Sequence, residues 1–186
     1  MTLRTYGLWL ITALLTGCAS TVSSIKEDKD INLDVDAGYL LLGVDTNQGL
    51  QSIDIDGPKD IRLTSADLRS GTQYILINLA AGDYRIEEIK LNQYWYIELE
   101  EGHWDFTIRP GGISYVGHVE VQTRSNFWLA QLTDDLKLAN RSTEALLFME
   151  EKFPSILQNR ELRYDGPGTD PFLQRMQAQQ EVAGNE

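Results

Sequence analysis

Residues 84–100 read YRIEEIKLNQYWYIELE, and the period of their apolar positions decides the fold. Taken from residue 86 onward as one strand with room for a bulge, the run places Ile89, Leu91, Trp95, Ile97 and Leu99 on one face. Lys90, Asn92, Tyr94, Tyr96 and Glu98 fall on the other. Such alternation belongs to a strand with one face in a core and one in water.

The same rhythm continues outward in AGYLLLGVDT (37–46), LQSIDIDG (50–57), KDIRLTS (59–65), TQYILINLAAG (72–82) and NFWLAQLTDDLKLA (126–139). Short Ile-, Leu-, Val-, Tyr- and Trp-rich runs punctuated by Gly, Asp, Asn and Pro predict a mainly β chain, an antiparallel sandwich or barrel. FTIRPGGISYVGHVEV (106–121) reads as a hairpin. Phe106 and Ile108 enter, Pro110, Gly111 and Gly112 supply the turn, and Ile113, Tyr115, Gly117, Val119 and Val121 alternate on the return. After Asn140 the period changes. Ser142 is a candidate N-cap, and TEALLFMEEKF places Ala145, Phe148, Met149 and Phe153 in one helical stripe that Pro154 ends.

Two stretches resemble known families. NLAAGDYRIEEI (78–89) resembles the turn-into-strand of transthyretin-like and carboxypeptidase-regulatory-like β-sandwich domains. The 106–121 stretch, with EEKFPSIL (150–157), resembles a group of bacterial lipoproteins known only as a domain of unknown function. The resemblance implies a prealbumin-like sandwich with a C-terminal helix and brings no catalytic residue with it.

The start of the chain carries its own signal. MTLRTYGLWLITALLTG (1–17) has one basic residue, Arg4, and then an uncharged apolar run from Tyr6 to Leu15. That is the pattern of a secretory signal, and it is too short to span a hydrocarbon core of about 30 Å. Leu15, Thr16, Gly17 and Cys18 resemble the lipobox of bacterial lipoproteins. The resemblance implies that the Cys18 thiol is alkylated by a diacylglycerol and becomes the mature N-terminus. It also implies the periplasmic side of the outer membrane, because Ala19 rather than Asp follows. Cys18 is the single cysteine of the chain, and lipidation would leave no thiol exposed to an oxidising compartment.

These readings divide the chain into a signal peptide (1–17), a lipidated Cys with a Ser-rich and then charged tether (18–36), a β-sandwich domain with its helix (37–163) and a flexible tail (164–186). The full chain has a formal net charge of −12; removal of Arg4 with the leader leaves 15 basic against 28 acidic residues. A surface so acidic repels phosphate backbones and argues against nucleic-acid partners.

The chain is poor in catalytic chemistry. Of its two histidines, His103 reads as a turn residue and His118 as a surface or semi-buried sheet residue on the face opposite the apolar alternation. No HExxH, GxSxG, Rossmann or P-loop pattern occurs. The acidic runs at 34–38 and 54–60 lack the ligand series of a calcium loop, so neither a metal nor another cofactor is expected. What remains is an aromatic face: Tyr94 and Tyr96, with Trp104 near the next turn, are candidates for stacking on a sugar ring or clamping a peptide. The expectation is a non-enzymatic envelope protein held to the membrane by its N-terminal lipid. It would bind or assemble with another envelope protein, or bind cell-wall glycan through the aromatic face; a lipid-anchored hydrolase is the remaining alternative.

Overall fold

The computed structural model describes residues 19–126, 129–131, 136–173 and 175–176. Leu15, Thr16, Gly17 and Cys18 lie outside the described residues. In chain order the elements are β1 (Ser20–Thr21), β2 (Ala37–Thr46), β3 (Ser52–Asp56), β4 (Ile61–Thr64), β5 (Gly71–Ala80), β6 (Gly82–Lys90), β7 (Tyr96–Glu98), β8 (Asp105–Ile108), β9 (Ile113–Val121), β10 (Arg124–Asn126), β11 (Leu129–Gln131), β12 (Leu136–Ala139), α1 (Ser142–Lys152), α2 (Pro154–Asn159) and β13 (Leu162–Tyr164). The protein is mainly β, as the period-two runs predict.

One sheet has the order β1-β4-β3-β6-β7, with β8 also paired to β6; the second has the order β12-β9-β2-β5, with β13 also paired to β9. The two share a core in which Leu40, Leu42 and Val44 of β2 and Ile75 and Ile77 of β5 meet Ile53, Ile86 and Ile89 of the first sheet. The opposite face of the second sheet is also covered: Tyr39, Leu41, Leu76, Ile113 and Tyr115 pack against Ala145, Met149, Phe153 and Ile156 of the helical region. Strands covered on both faces carry continuous apolar runs, which is why LLL in β2 is buried throughout.

Both sheets are mixed, not antiparallel. β2 and β13 each run parallel to β9, and β1 runs parallel to β4. The expected 106–121 hairpin does not form, because β8 pairs with β6 in the first sheet while β9 enters the middle of the second. Pro110, Gly111 and Gly112 therefore carry the chain from one sheet to the other.

The expected tether is sewn onto the body. Ser20 N–H donates to Asp60 O and Val22 N–H to Arg62 O, along the outer edge of β4. Ile25 N–H then donates to Leu76 O on β5 at 2.7 Å, and Ser24 N–H to the buried Asp67 carboxylate. Asp28 accepts from the Ser155 and Ile156 amides at the start of α2, and Asp30 pairs with Arg160. Burial opposes ionisation of Asp28, but the Ser155 amide and side chain, with the Ile156 amide, outweigh it and hold its carboxyl below the usual range. Residues 20–25 thus cover one edge of each sheet, at β4 and at β5, protecting strands that would otherwise invite pairing with another chain.

The expected tail also contributes to the body. The Asp165 side chain is buried, bound by Arg109 Nε at 2.5 Å and Ser114 Oγ at 2.8 Å. Asp170 accepts from Ser142 Oγ. Ser142 is therefore not the N-cap. Arg141 occupies that position without a side-chain cap, and Ser142 opens the helix while its hydroxyl reaches Asn140 and Asp170. Pro154 ends α1 as expected and also begins α2, the first turn being where proline is tolerated.

Candidate functional site

The run YRIEEIKLNQYWYIELE is two strands and a turn. Residues 91–95 reverse β6 into β7, with Ile89 opposite Ile97 and Lys90 opposite Tyr96. Asn92 holds the turn: its Oδ1 accepts from the amides of Tyr94 at 2.9 Å and Trp95 at 3.2 Å, while Leu91 N–H donates to Trp95 O. A short polar side chain bonding the backbone two and three residues on is a mechanism for such a turn.

The reversal leaves three consecutive aromatic residues outside the core: Tyr94 is 76% exposed, Trp95 51% and Tyr96 54%. Tyr94 and Tyr96 face water as the sequence predicts, but Trp95 does not join Ile97 and Leu99, because the chain turns before it. Trp104 departs in the other direction. It is only 7% exposed and shares its face with Phe106 and Ile108 in the inter-sheet core. Its carbonyl accepts from Ile86 N–H, extending the pairing along β6 one residue before β8 begins. The exposed aromatic set is therefore 94–96, and Trp104 is not part of it.

Beside this tip lies an open groove of about 840 Å3 at whose surface Tyr94, Arg69 and Ser70 are exposed, while Leu50, Leu68 and Leu91 beneath it are buried in the core. The backbone beneath is tied down, with Leu50 N–H donating to Leu68 O and Gln51 N–H to Lys90 O. On the neighbouring strands Asp54 accepts a two-pronged contact from Arg62 (2.5 and 2.8 Å) and lies 3.5 Å from Lys90 Nζ. Burial works against its charge, yet the two cations hold Asp54 below the usual carboxylate range. Asp54 is thus engaged by cations of its own sheet. No cluster of three or more metal-ligating His, Cys, Asp or Glu residues occurs among the described residues.

The most perturbed ionisable group lies elsewhere. His118 is fully buried, contrary to the surface or semi-buried position expected of it. The cause is a bulge in β9: Leu41 lies opposite Tyr115 and Gly43 opposite His118, so β9 carries one residue more than β2 across that interval. Gly117 provides the backbone, with a φ of 118° that disfavours any side chain. Before the bulge Ile113 and Tyr115 face the helices. After it Val119 and Val121 face the other sheet, and His118 and Glu120 take the helix side. A strict period of two across Gly117 puts each residue beyond it on the wrong face.

The bulge brings Tyr115 and His118 together at three-residue spacing. Tyr115 Oη accepts from the Arg141 amide at 2.9 Å and is hydrogen-bonded to His118 Nδ1 at 2.7 Å. Nε2 has no hydrogen-bond partner among the described residues. The ring lies against Gly43, where an added Cβ would fall 2.3 Å from Nε2, and Tyr74 meets it edge to face at 4.9 Å. Arg141 continues the network to Glu120 at 2.5 Å and Asp45 at 3.3 Å. Burial, followed by the positive charge of Arg141, lowers the His118 pKa from 6.5 to about 4. The imidazole is fully buried, and its contacts with Gly43, Tyr74 and Tyr115 pack it into the helix-side face of the second sheet, out of reach of a substrate.

The sign of that shift gives a measurable pH dependence. The unfolded chain binds a proton at His118 near pH 6.5 and the folded chain only near pH 4. The stability from this site is thus complete above about 6.5 and is lost as pH falls towards about 4. Chemical denaturation across that window should show a decline that His118→Asn flattens. An unchanged slope in the variant would exclude His118 as its source.

His103, the other histidine, is exposed and sits edge-on to Trp104 with ring centroids 5.7 Å apart. Comparison with family models, curated proteins and solved structures finds no match. The tip at residues 94–96 and the adjoining groove are the candidate functional site.

Proposed function

We propose that this protein is an exported lipoprotein, anchored through Cys18 on the periplasmic side of the outer membrane. There it serves as a non-enzymatic module that binds or assembles with another envelope protein. The LTGC sequence supports the anchor, and the resemblance to transthyretin-like sandwiches is kept as part of the same reading. The observation that carries the binding role is the hairpin tip: Tyr94, Trp95 and Tyr96 are all more than half exposed on a turn pinned by Asn92, beside an open groove at whose surface Arg69 and Ser70 are exposed. Rigid aromatic side chains with polar edges dominate the energetics of protein interfaces, and a turn fixed in advance lowers the entropy lost on docking.

The test compares wild type with a Tyr94→Ala/Trp95→Ala/Tyr96→Ala variant. All three sites are exposed, so the variant should fold within about 1 kcal/mol of wild type. A protein captured stoichiometrically from detergent-solubilised envelopes by wild type should be lost from the variant by about 30-fold or more, the effect of removing an interface hot spot. Equal capture by both would reject the tip as the binding surface. Tip-dependent retention on isolated cell-wall sacculi would assign the tip to glycan instead.

A further inference from the structure

The register of the first sheet fixes where the aromatic tip stands relative to the anchor. Ser20 lies opposite Ile61 and Thr21 opposite Arg62, so β1 points from the 57–60 turn towards the far end of β4. Ile61 in turn lies opposite Ile55, and Ile55 opposite Ile86. At the other end of the same strands Thr64 lies opposite Ser52, Ser52 opposite Lys90, and Lys90 opposite Tyr96. Residues 91–95 project beyond that level. The chain therefore enters the sheet at one end, and the aromatic tip leaves it at the other.

The entering chain has little slack. From Ser20 onward residues 20, 22, 24 and 25 are hydrogen-bonded to the body, and Asp28 and Asp30 bind the α2 region. Only Cys18 and Ala19 precede the first paired residue, a reach of about 7 Å at full extension. The strand rise places the tip roughly 20 Å from the anchored end.

We infer that the 57–60 turn rests on the surface of the bilayer that holds the lipid, while the 94–96 tip is presented away from that bilayer at a set height. The partner bound at the tip accordingly meets the protein from the aqueous side and is not a component embedded beside the anchor. This inference rests on the Cys18 anchor proposed above.

The test uses the single cysteine. Once Cys18 carries lipid, an introduced thiol is the only one in the mature chain. Lys59→Cys and Gln93→Cys both fall in exposed turns, at the two ends of the sheet. Each lipidated protein is labelled with a thiol-reactive fluorophore and reconstituted into phosphatidylethanolamine and phosphatidylglycerol vesicles containing a headgroup-nitroxide lipid. The label at residue 59 should be quenched several-fold more strongly than the label at residue 93. Equal quenching of the two in lipidated protein, or stronger quenching at residue 93, overturns the orientation while leaving the anchor standing. A wild-type chain that itself takes up the fluorophore carries a free Cys18, which overturns the anchor and this inference with it.

Discussion

Tyr115→Ala should destabilise the protein by about 3 to 5 kcal/mol, the range for deleting a large buried ring, which is a large share of the 5 to 15 kcal/mol that holds an ordinary domain together. Tyr115 is fully buried in the layer between the second sheet and the helices, with the Tyr164 ring 5.7 Å away. Its hydroxyl also joins three parts of the structure: the bulged strand that carries it, the His118 ring and the amide of Arg141 that precedes α1. Burial raises its pKa above the usual phenol value, so the hydroxyl remains neutral. Tyr115→Phe separates the two contributions. It keeps the ring but leaves Nδ1 of His118 and the Arg141 amide without their partner, at a cost of about 1 to 3 kcal/mol. Denaturant titration of both variants checks this. A Phe variant as stable as wild type would mean that the hydroxyl network contributes nothing, and an Ala variant within 1 kcal/mol would contradict the packing of this layer.

The second large effect is all or none. Cys18→Ser should abolish lipid attachment, because a serine hydroxyl does not take the place of the thiol in forming the thioether. Stable membrane anchoring requires more than one acyl chain, each buried methylene contributing about 0.8 kcal/mol. The variant should therefore fail to incorporate labelled fatty acid and should accumulate as an unprocessed or mislocalised precursor. Its fold should be unchanged, since Ser20 and the residues that close the sheet edges remain in place. Normal lipid incorporation in the variant would remove the anchor from the account.

The β character of the chain was legible because period-two burial survives wherever a strand is regular, as in Trp104, Phe106 and Ile108. It failed at two residues whose local chemistry resets the pattern. Gly117 inserts a bulge that turns His118 and Glu120 towards the helices, and an isolated glycine within a strand pattern was its sequence signal. Asn92 reverses the chain and leaves Trp95 outside, although Tyr94 and Tyr96 face water under either reading. The remaining differences are long-range. Nothing near Ser24 in the sequence announces a contact with Leu76, nor anything near Asp28 a helix start at Pro154, so residues with the composition of a tether fold as part of the domain. The parallel pairing of β2 and β9 was hidden for the same reason: Pro110, Gly111 and Gly112 suit a tight hairpin and also suit a crossing between sheets.

The proposed anchor would place the aromatic tip in its compartment, and the mass of the N-terminal fragment of the protein recovered from envelope membranes tests it most directly. With the anchor in place, the fragment begins at Cys18 and is heavier than its peptide by a diacylglyceryl group and its acyl chains. A fragment that retains residues 1–17, or one that begins elsewhere and carries an unmodified Cys18 thiol, would contradict it.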